Sequence, residues 1–286
     1  MGGEFSLSPR LGRQKPFDTD EDPVDESGGE LSFTLERSRA ILSLPLSLTV
    51  GVASSPQWFD DETPEHGLYG QLTLGDDYRP IHRLRTTEGD ADASEDVHDA
   101  LRPVLSYRYT RIYNDLLSDF ARDEHEVAGG IRYRDVRTIM CEKANPGAAN
   151  VKGACGDLPG ISYVLRADVS RIWSSDPTET RLAPRVRGEL VSHLLKRSIR
   201  LFGRMEYEWR FYDGVRVAGS GEKREERRLR AGAGIDLSAW ADRYVKGLEL
   251  ELEAQVQRRW SNDPDRRHTR FYVIPALTFG WKFGGA

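Results

Sequence analysis

Arginine returns at every second position in three short stretches: Arg83 and Arg85 in HRLR, Arg132 and Arg134 in RYR, and Arg185 and Arg187 in PRVR. Successive side chains of an extended strand point to opposite faces, so each of these pairs shares one face. Arg108, Arg166, Arg200, Arg204, Arg228 and Arg230 continue the alternation in other segments. Guanidinium groups spaced in this way offer forked donors to carboxylates or phosphates. ELELE sets Glu249, Glu251 and Glu253 on one face of a further segment. An arginine face opposite a carboxylate face, across a shared cavity, makes a transverse field that orients water and selects polar solutes. The excess of arginine biases that selection toward anions. The alternative is that the two signs pair and fill the cavity.

Conventional catalytic groupings are weak. His98 beside Asp99, and His125 in RDEHEV, offer acid–histidine neighbours for a hydrolase, or simply charged loops. Ser192 and His193 are adjacent, so on a strand they face apart. GSGEKREERR at 219–228 reads as a charged loop without the strand–turn–helix setting of a phosphate loop. DTDEDPVDE at 18–26 has the composition of a calcium loop but not its glycine and glutamate spacing. The expectation is therefore no catalytic residue, no metal and no cofactor. Cys141 and Cys155 bracket CEKANPGAANVKGAC, where a disulfide stapling a loop competes with two free thiols.

The elements that would carry the arginines are strands. In ILSLPLSLTVGVA, Leu42, Leu44, Leu46, Leu48, Val50 and Val52 form one face against Ser43, Pro45, Ser47, Thr49 and Gly51. In GLELELEAQVQRRW the apolar set is Leu248, Leu250, Leu252, Ala254 and Val256, opposite the glutamates. FYVIPALTFGWKF alternates Phe271, Val273, Leu277, Phe279, Trp281 and Phe283 with smaller or polar groups. Similar patterns over 31–38, 66–76, 78–87, 103–113, 126–139, 160–173, 181–194, 199–211 and 229–237 bring the expected total to about twelve strands. Residues 115–124 read as a short helix or a loop. Turn chemistry separates the strands at SSDPTET and SNDPDRR. Several runs are longer than the ~5–6 residues of an average strand, and a tilted membrane-crossing strand needs ~9–11. Aromatic residues gather at strand ends, as they do at lipid–water boundaries.

The chain has 286 residues, 38% hydrophobic and 30% charged, with 41 basic and 46 acidic side chains and a net charge of -5. No run is long and apolar enough for a membrane helix. The negative balance gives no support to nucleic-acid binding. Residues 1–30 are acidic and rich in Pro and Gly, and read as a disordered leader behind a removed export signal. Asp18, Asp20, Glu21, Asp22, Asp25 and Glu26 would let that leader enter an arginine-lined cavity as a plug, with plain disorder as the alternative. Residues 31–286 form the barrel region.

The alternating strands and the aromatic C-terminal segment ending at Phe283 resemble the Gram-negative outer-membrane β-barrel proteins, over about residues 30–283. Strand number and length are similar to the twelve-stranded monomeric members. The resemblance implies an all-β, closed antiparallel transmembrane β-barrel in the outer membrane, with lipid outside. It also implies recognition of the C-terminal strand by the membrane-insertion machinery. The soluble alternative is a large lipocalin-like barrel or a sandwich, with leucine and tryptophan turned inward. In the membrane reading the arginines line a channel for small, preferentially anionic solutes, acidic oligosaccharides among them. The alternative is a barrel that anchors, translocates or assembles another component, or carries an active site at its rim. Parity places the cysteine loop and the loop near 212–226 at opposite ends. The expectation is therefore an uncounted strand between 174 and 212.

Overall fold

The structure is a computed structural model that describes residues 2–16, 24–41, 44–54, 66–75, 101–114, 120–137, 161–194, 199–241, 243–245 and 248–282. Twelve strands are described: β1 (Gly2–Pro16), β2 (Val24–Ile41), β3 (Leu44–Ser54), β4 (His66–Leu74), β5 (Arg102–Tyr113) and β6 (Phe120–Arg137); then β7 (Ile161–Ser174), β8 (Arg181–Leu194), β9 (Ile199–Arg216), β10 (Lys223–Asp236), β11 (Leu248–Ser261) and β12 (His268–Lys282). Each pairs antiparallel with its sequence neighbour, and β1 pairs with β12 to close the barrel. Closure leaves no strand edge unpaired, the condition for placing backbone amides in lipid.

Alternation decides which way each residue faces. The outward positions carry the apolar set: Leu7 on β1, Leu31 on β2, Val50 on β3 and Leu72 on β4 are exposed. So are Leu105, Ile131, Leu165, Leu190, Met205, Ile235, Leu252 and Phe271 on β5 to β12, which makes the belt continuous around the circumference. A water-soluble barrel would turn these groups inward. Here the inward set is polar, and Arg259 and Arg270 are each only 1% exposed. The apolar belt is the lipid-facing surface of a transmembrane barrel.

The β7–β8 and β11–β12 hairpins use one turn twice. Both read Trp-Ser-x-Asp-Pro, at Trp173–Pro177 and Trp260–Pro264. In each, the aspartate caps the turn: Asp176 accepts from the Thr178 amide, and Asp263 from the Asp265 amide. The serine two residues before the aspartate accepts from its amide, Ser174 at 3.2 Å and Ser261 at 3.0 Å. Proline starts a 3-10 turn in both, since its fixed φ suits that position and no amide donor is needed there. These turns and the one at 217–222 share a rim, called the hairpin rim below. The start of β1 and the end of β12 lie at the opposite, terminal rim.

Three expectations are corrected. The leader is not disordered throughout: Gly2–Pro16 is the closing strand and Val24 begins β2. Phe5, Leu7 and Leu11 carry a period of two, and Leu7 stands between Leu31 and Leu277 in register. Pro9 obscures that pattern, and the β1–β12 ladder skips Ser8–Arg10 around it, as a residue without an amide hydrogen requires. Asp18, Asp20, Glu21 and Asp22 lie outside the described residues, as does the expected strand at 78–87. Second, among the described residues no further strand lies between β7 and β8 or within 181–212, where β8 and β9 run as single strands. The facing ends of β6 and β7 therefore lie at the terminal rim, opposite the 217–222 turn. Third, 120–124 and 223–228 are strand rather than loop.

Removing residues 2–16 should open the barrel between β2 and β12. The expected result is loss of the heat-modifiable, compact band on semi-native electrophoresis of the refolded protein in lipid. An unchanged compact band would mean that β1 is not part of the closed wall.

Candidate functional site: the charged lumen

The inward face of β6 to β11 holds a series of ion-pair clusters that bridge neighbouring strands. Asp168 on β7 has no exposed side-chain surface and lies between two arginines. Arg166 donates to it through Nε at 2.8 Å, and Arg185 of β8 through Nε at 2.9 Å. Arg185 also comes within 3.7 Å of Glu126 on β6. On the next strands, Arg187 and Arg230 share Glu206, at 2.6 Å and 3.1 Å. Arg210 and Arg228 share Glu208, at 2.7 Å and 2.5 Å. Arg259 donates to Glu226 at 2.6 Å, and the Tyr212 hydroxyl donates to the other oxygen at 3.0 Å. Arg224 stacks 3.6 Å above the Tyr212 ring and reaches Glu179 of the β7–β8 turn at 3.2 Å.

Glycine lets one of these pairs span two strands. Gly232 and Gly234 are inward positions of β10, and Gly232 sits between Arg204 on β9 and Gln255 on β11. Without a side chain in the way, Arg204 reaches past β10 to Glu253 at 3.2 Å and Glu251 at 3.9 Å on β11. A Cβ at Gly232 would collide with the Glu253 carboxylate.

The lumen has two levels. Around its middle, Arg187 and Arg204 keep 37% and 35% of their side-chain surface accessible despite their ion pairs. Nearer the hairpin rim, on β8 to β12, the charged groups form a packed layer. Arg181, Arg210, Arg224, Arg228, Arg259 and Arg270 are buried there with Glu208 and Glu226. Gln257, on the inward face between Arg230 and Arg270, is fully buried.

Of the arginines singled out from sequence, Arg108, Arg132, Arg166, Arg185, Arg187, Arg200, Arg204, Arg228 and Arg230 occupy inward positions. Arg108 lies 4.3 Å over the ring of Tyr69, whose hydroxyl bonds Glu30 on β2. Arg200 lies 3.5 Å from Asp236, which also caps the helical turn Ser238–Ala241 through the Ser238 amide. Glu249, Glu251 and Glu253 are inward too. Arg83, Arg85, Cys141 and Cys155 lie outside the described residues, as does the side chain of Arg134.

The expected separation into an arginine wall and a carboxylate wall does not hold. Asp168, Glu206, Glu208 and Glu226 each sit within reach of arginines on their own or a neighbouring strand, and Glu251 and Glu253 meet Arg204 from two strands away, because charges held apart in a confined lumen would forgo that attraction. The acidic cluster around His125 is split by the pleat. Glu124 and Glu126 face inward, while His125 faces out and contacts the Tyr107 hydroxyl at 2.8 Å. Sequence reasoning placed Arg210 and Arg259 on inward faces but missed Arg122, Arg181, Tyr212, Arg224, Glu226, His268 and Arg270 as members of the lumen set. The even-numbered spacing of Arg224, Glu226 and Arg228 was the available signal.

No protein-family model and no curated protein matches this sequence. Among solved structures, the chain is similar to LpxR from Salmonella typhimurium, at TM-score 0.48 and 12% identity over 96% of this chain and 99% of that one. It is also similar to the beta domain of the Bordetella autotransporter BrkA, at 0.45 and 14% over 98% and 99%. The KdgM porin matches at 0.40 and 11% over 98% and 99%. The membrane-facing surface is read from this chain's own two faces.

Truncating Asp168 to alanine should remove a fully buried carboxylate from between two largely buried guanidiniums and lower stability by about 3–5 kcal/mol, measured by urea unfolding in lipid vesicles. Placing arginine at the outward Leu252, the middle of the apolar run Leu248–Val256 on β11, should cost about 2–4 kcal/mol in the same assay. A near-neutral L252R would show that water, not hydrocarbon, meets that face.

Proposed function

We propose that this transmembrane barrel of the Gram-negative outer membrane is a channel for small, preferentially anionic solutes, with acidic oligosaccharides as candidate substrates. The observation that carries this reading is the accessible middle level of the lumen. There, Arg187 and Arg204 remain partly open to water while bonded to internal carboxylates. A guanidinium has five donors, and one carboxylate uses only some of them. The rest can engage a passing carboxylate or phosphate without breaking the internal pair. Such contacts are favourable enough for entry and weak enough for release. Lipid contacts the outer belt, and the alternate aromatic groups of the C-terminal strand fit a signal to the insertion machinery.

A second reading has its own support. The packed layer leaves Gln257, Arg259 and Arg270 with 0%, 1% and 1% exposure. A layer this tight is what a barrel closed to solutes would contain, serving as an anchor, a translocator or the scaffold of a rim site.

Planar-bilayer recording separates the two. The channel reading expects stable conductance with reversal potentials that favour anions. Reversing the accessible charges in Arg187→Glu and Arg204→Glu should shift the preference toward cations. Arg185 is the poorer choice for this test, because its loss would uncover Asp168. An ion-tight barrel would favour the second reading, and a pore indifferent to both reversals would remove the arginine argument.

A further inference from the structure

Two inward register rows cross β9 to β12 near the hairpin rim. One runs Glu208, Arg228, Arg259, His268, and the next runs Glu206, Arg230, Gln257, Arg270. Each row starts with a carboxylate and continues only in donors or an imidazole. Both carboxylates are already shared, Glu208 with Arg210 and Glu206 with Arg187. The β11–β12 corner, where the rows end, is therefore rich in donors.

That corner also holds two buried nitrogens without a hydrogen-bond partner among the described residues: Nε2 of His268 and Nε2 of Gln257. His268 is 6% exposed and Gln257 is fully buried. The Gln257 amide is oriented by Arg230, whose Nε donates to Oε1 at 2.9 Å, leaving the NH2 group to face another acceptor. The charged groups acting most strongly on the His268 ring are Arg270, Arg259, Arg228 and Arg210, all of one sign. Buried unsatisfied donors are costly, and an anion accepting from the two Nε2 groups removes that penalty.

We infer that this corner is an oxyanion-binding site, formed by Arg270, His268 and Gln257 with Arg228 and Arg259 behind them, that takes a phosphate or the carboxylate of an acidic sugar. The inference rests on the reading that this lumen takes up anions, and adds a fixed place of residence to it. Arginine supplies the fork for two oxygens, the Gln257 amide a neutral donor, and the imidazole a donor from its Nε2 tautomer. Among the described residues, the acceptors a cation would meet there, Glu206, Glu208 and the Gln257 Oε1, are already engaged by arginines.

The test is a titration of the detergent-solubilised full chain, labelled at histidine, with inorganic phosphate in one arm and galacturonate in the other. The His268 ring resonance is assigned by its loss in His268→Gln. The expected result is a saturable shift of that resonance in at least one arm, and the arm that shifts identifies the oxyanion. Arg270→Gln should weaken the response by about tenfold, the effect of one lost charge-assisted hydrogen bond. Gln257→Glu places a carboxylate inside the corner, and should abolish anion binding while raising thermal stability in anion-free buffer. This variant keeps the test decisive if Arg270→Gln does not fold. A His268 resonance unmoved by both probes, or a Gln257→Glu variant that still binds as the parent does, overturns the site. A saturable shift in a barrel that conducts no ions keeps the site and rejects the channel, whereas conduction without a shift does the reverse.

Discussion

Closing twelve strands creates an interior that apolar side chains of ordinary size cannot fill, and most of this structure follows from how that space is occupied. Lipid outside claims every second residue for the apolar belt and forbids an open edge. The remaining half must be hydrated, or satisfied by its own neighbours. This chain fills much of the space with arginine and matches it with carboxylates along the register rows. The pairing runs Asp168 to Arg166 and Arg185, Glu206 to Arg187 and Arg230, and Glu208 to Arg210 and Arg228. Each acid serves two guanidiniums, at least one of them on a neighbouring strand, so the pairs tie adjacent strands together. Lysine would serve less well here, because an ammonium presents a point charge, not a planar fork that can bridge two acceptors.

The reach of arginine also explains where small residues fall on the inner face. Gly232 and Gly234 on β10 leave a gap through which Arg204 meets Glu251 and Glu253 two strands away. Read from sequence, AGAG weakens a strand, since glycine adds no packing and costs backbone entropy. In the barrel the same residues make room for an ion pair.

Legibility in the sequence followed the lipid. Wherever the outward side is apolar, as in Leu248 to Val256 or Phe271 to Phe279, strand and facing were both readable. Where a strand rises past hydrocarbon into water, its outward side turns polar and the period of two fades from any hydropathy pattern. Lys223, Glu225 and Arg227 face out on β10 opposite Arg224, Glu226 and Arg228, so a strand of the packed layer resembled a charged loop. Pro9 and the surrounding polarity hid β1 in a similar way. The pairing of inward charges was not readable at all. Alternation assigns a residue to a face but is silent on register, and register alone brings Arg228 beside Glu208.

Net charge misleads for a related reason. The chain carries -5 overall, yet its packed layer sets Arg181, Arg210, Arg224, Arg228, Arg259 and Arg270 against Glu179, Glu208 and Glu226 among the described residues. Sign is sorted by depth, and a solute in the lumen meets the local balance rather than the total. At the middle level, in the proposed channel, an anion moving between Arg187, Arg204 and Arg230 would exchange contacts with groups that all keep an internal carboxylate, so each step would change the energy little. At the packed level donors outnumber acceptors, and an anion arriving there would complete the network instead of passing through it. Weak, repeated contacts favour transit, while a single saturating contact favours residence. On the proposed reading the barrel would hold both kinds in series, and the balance between them would decide whether it conducts, stores or seals.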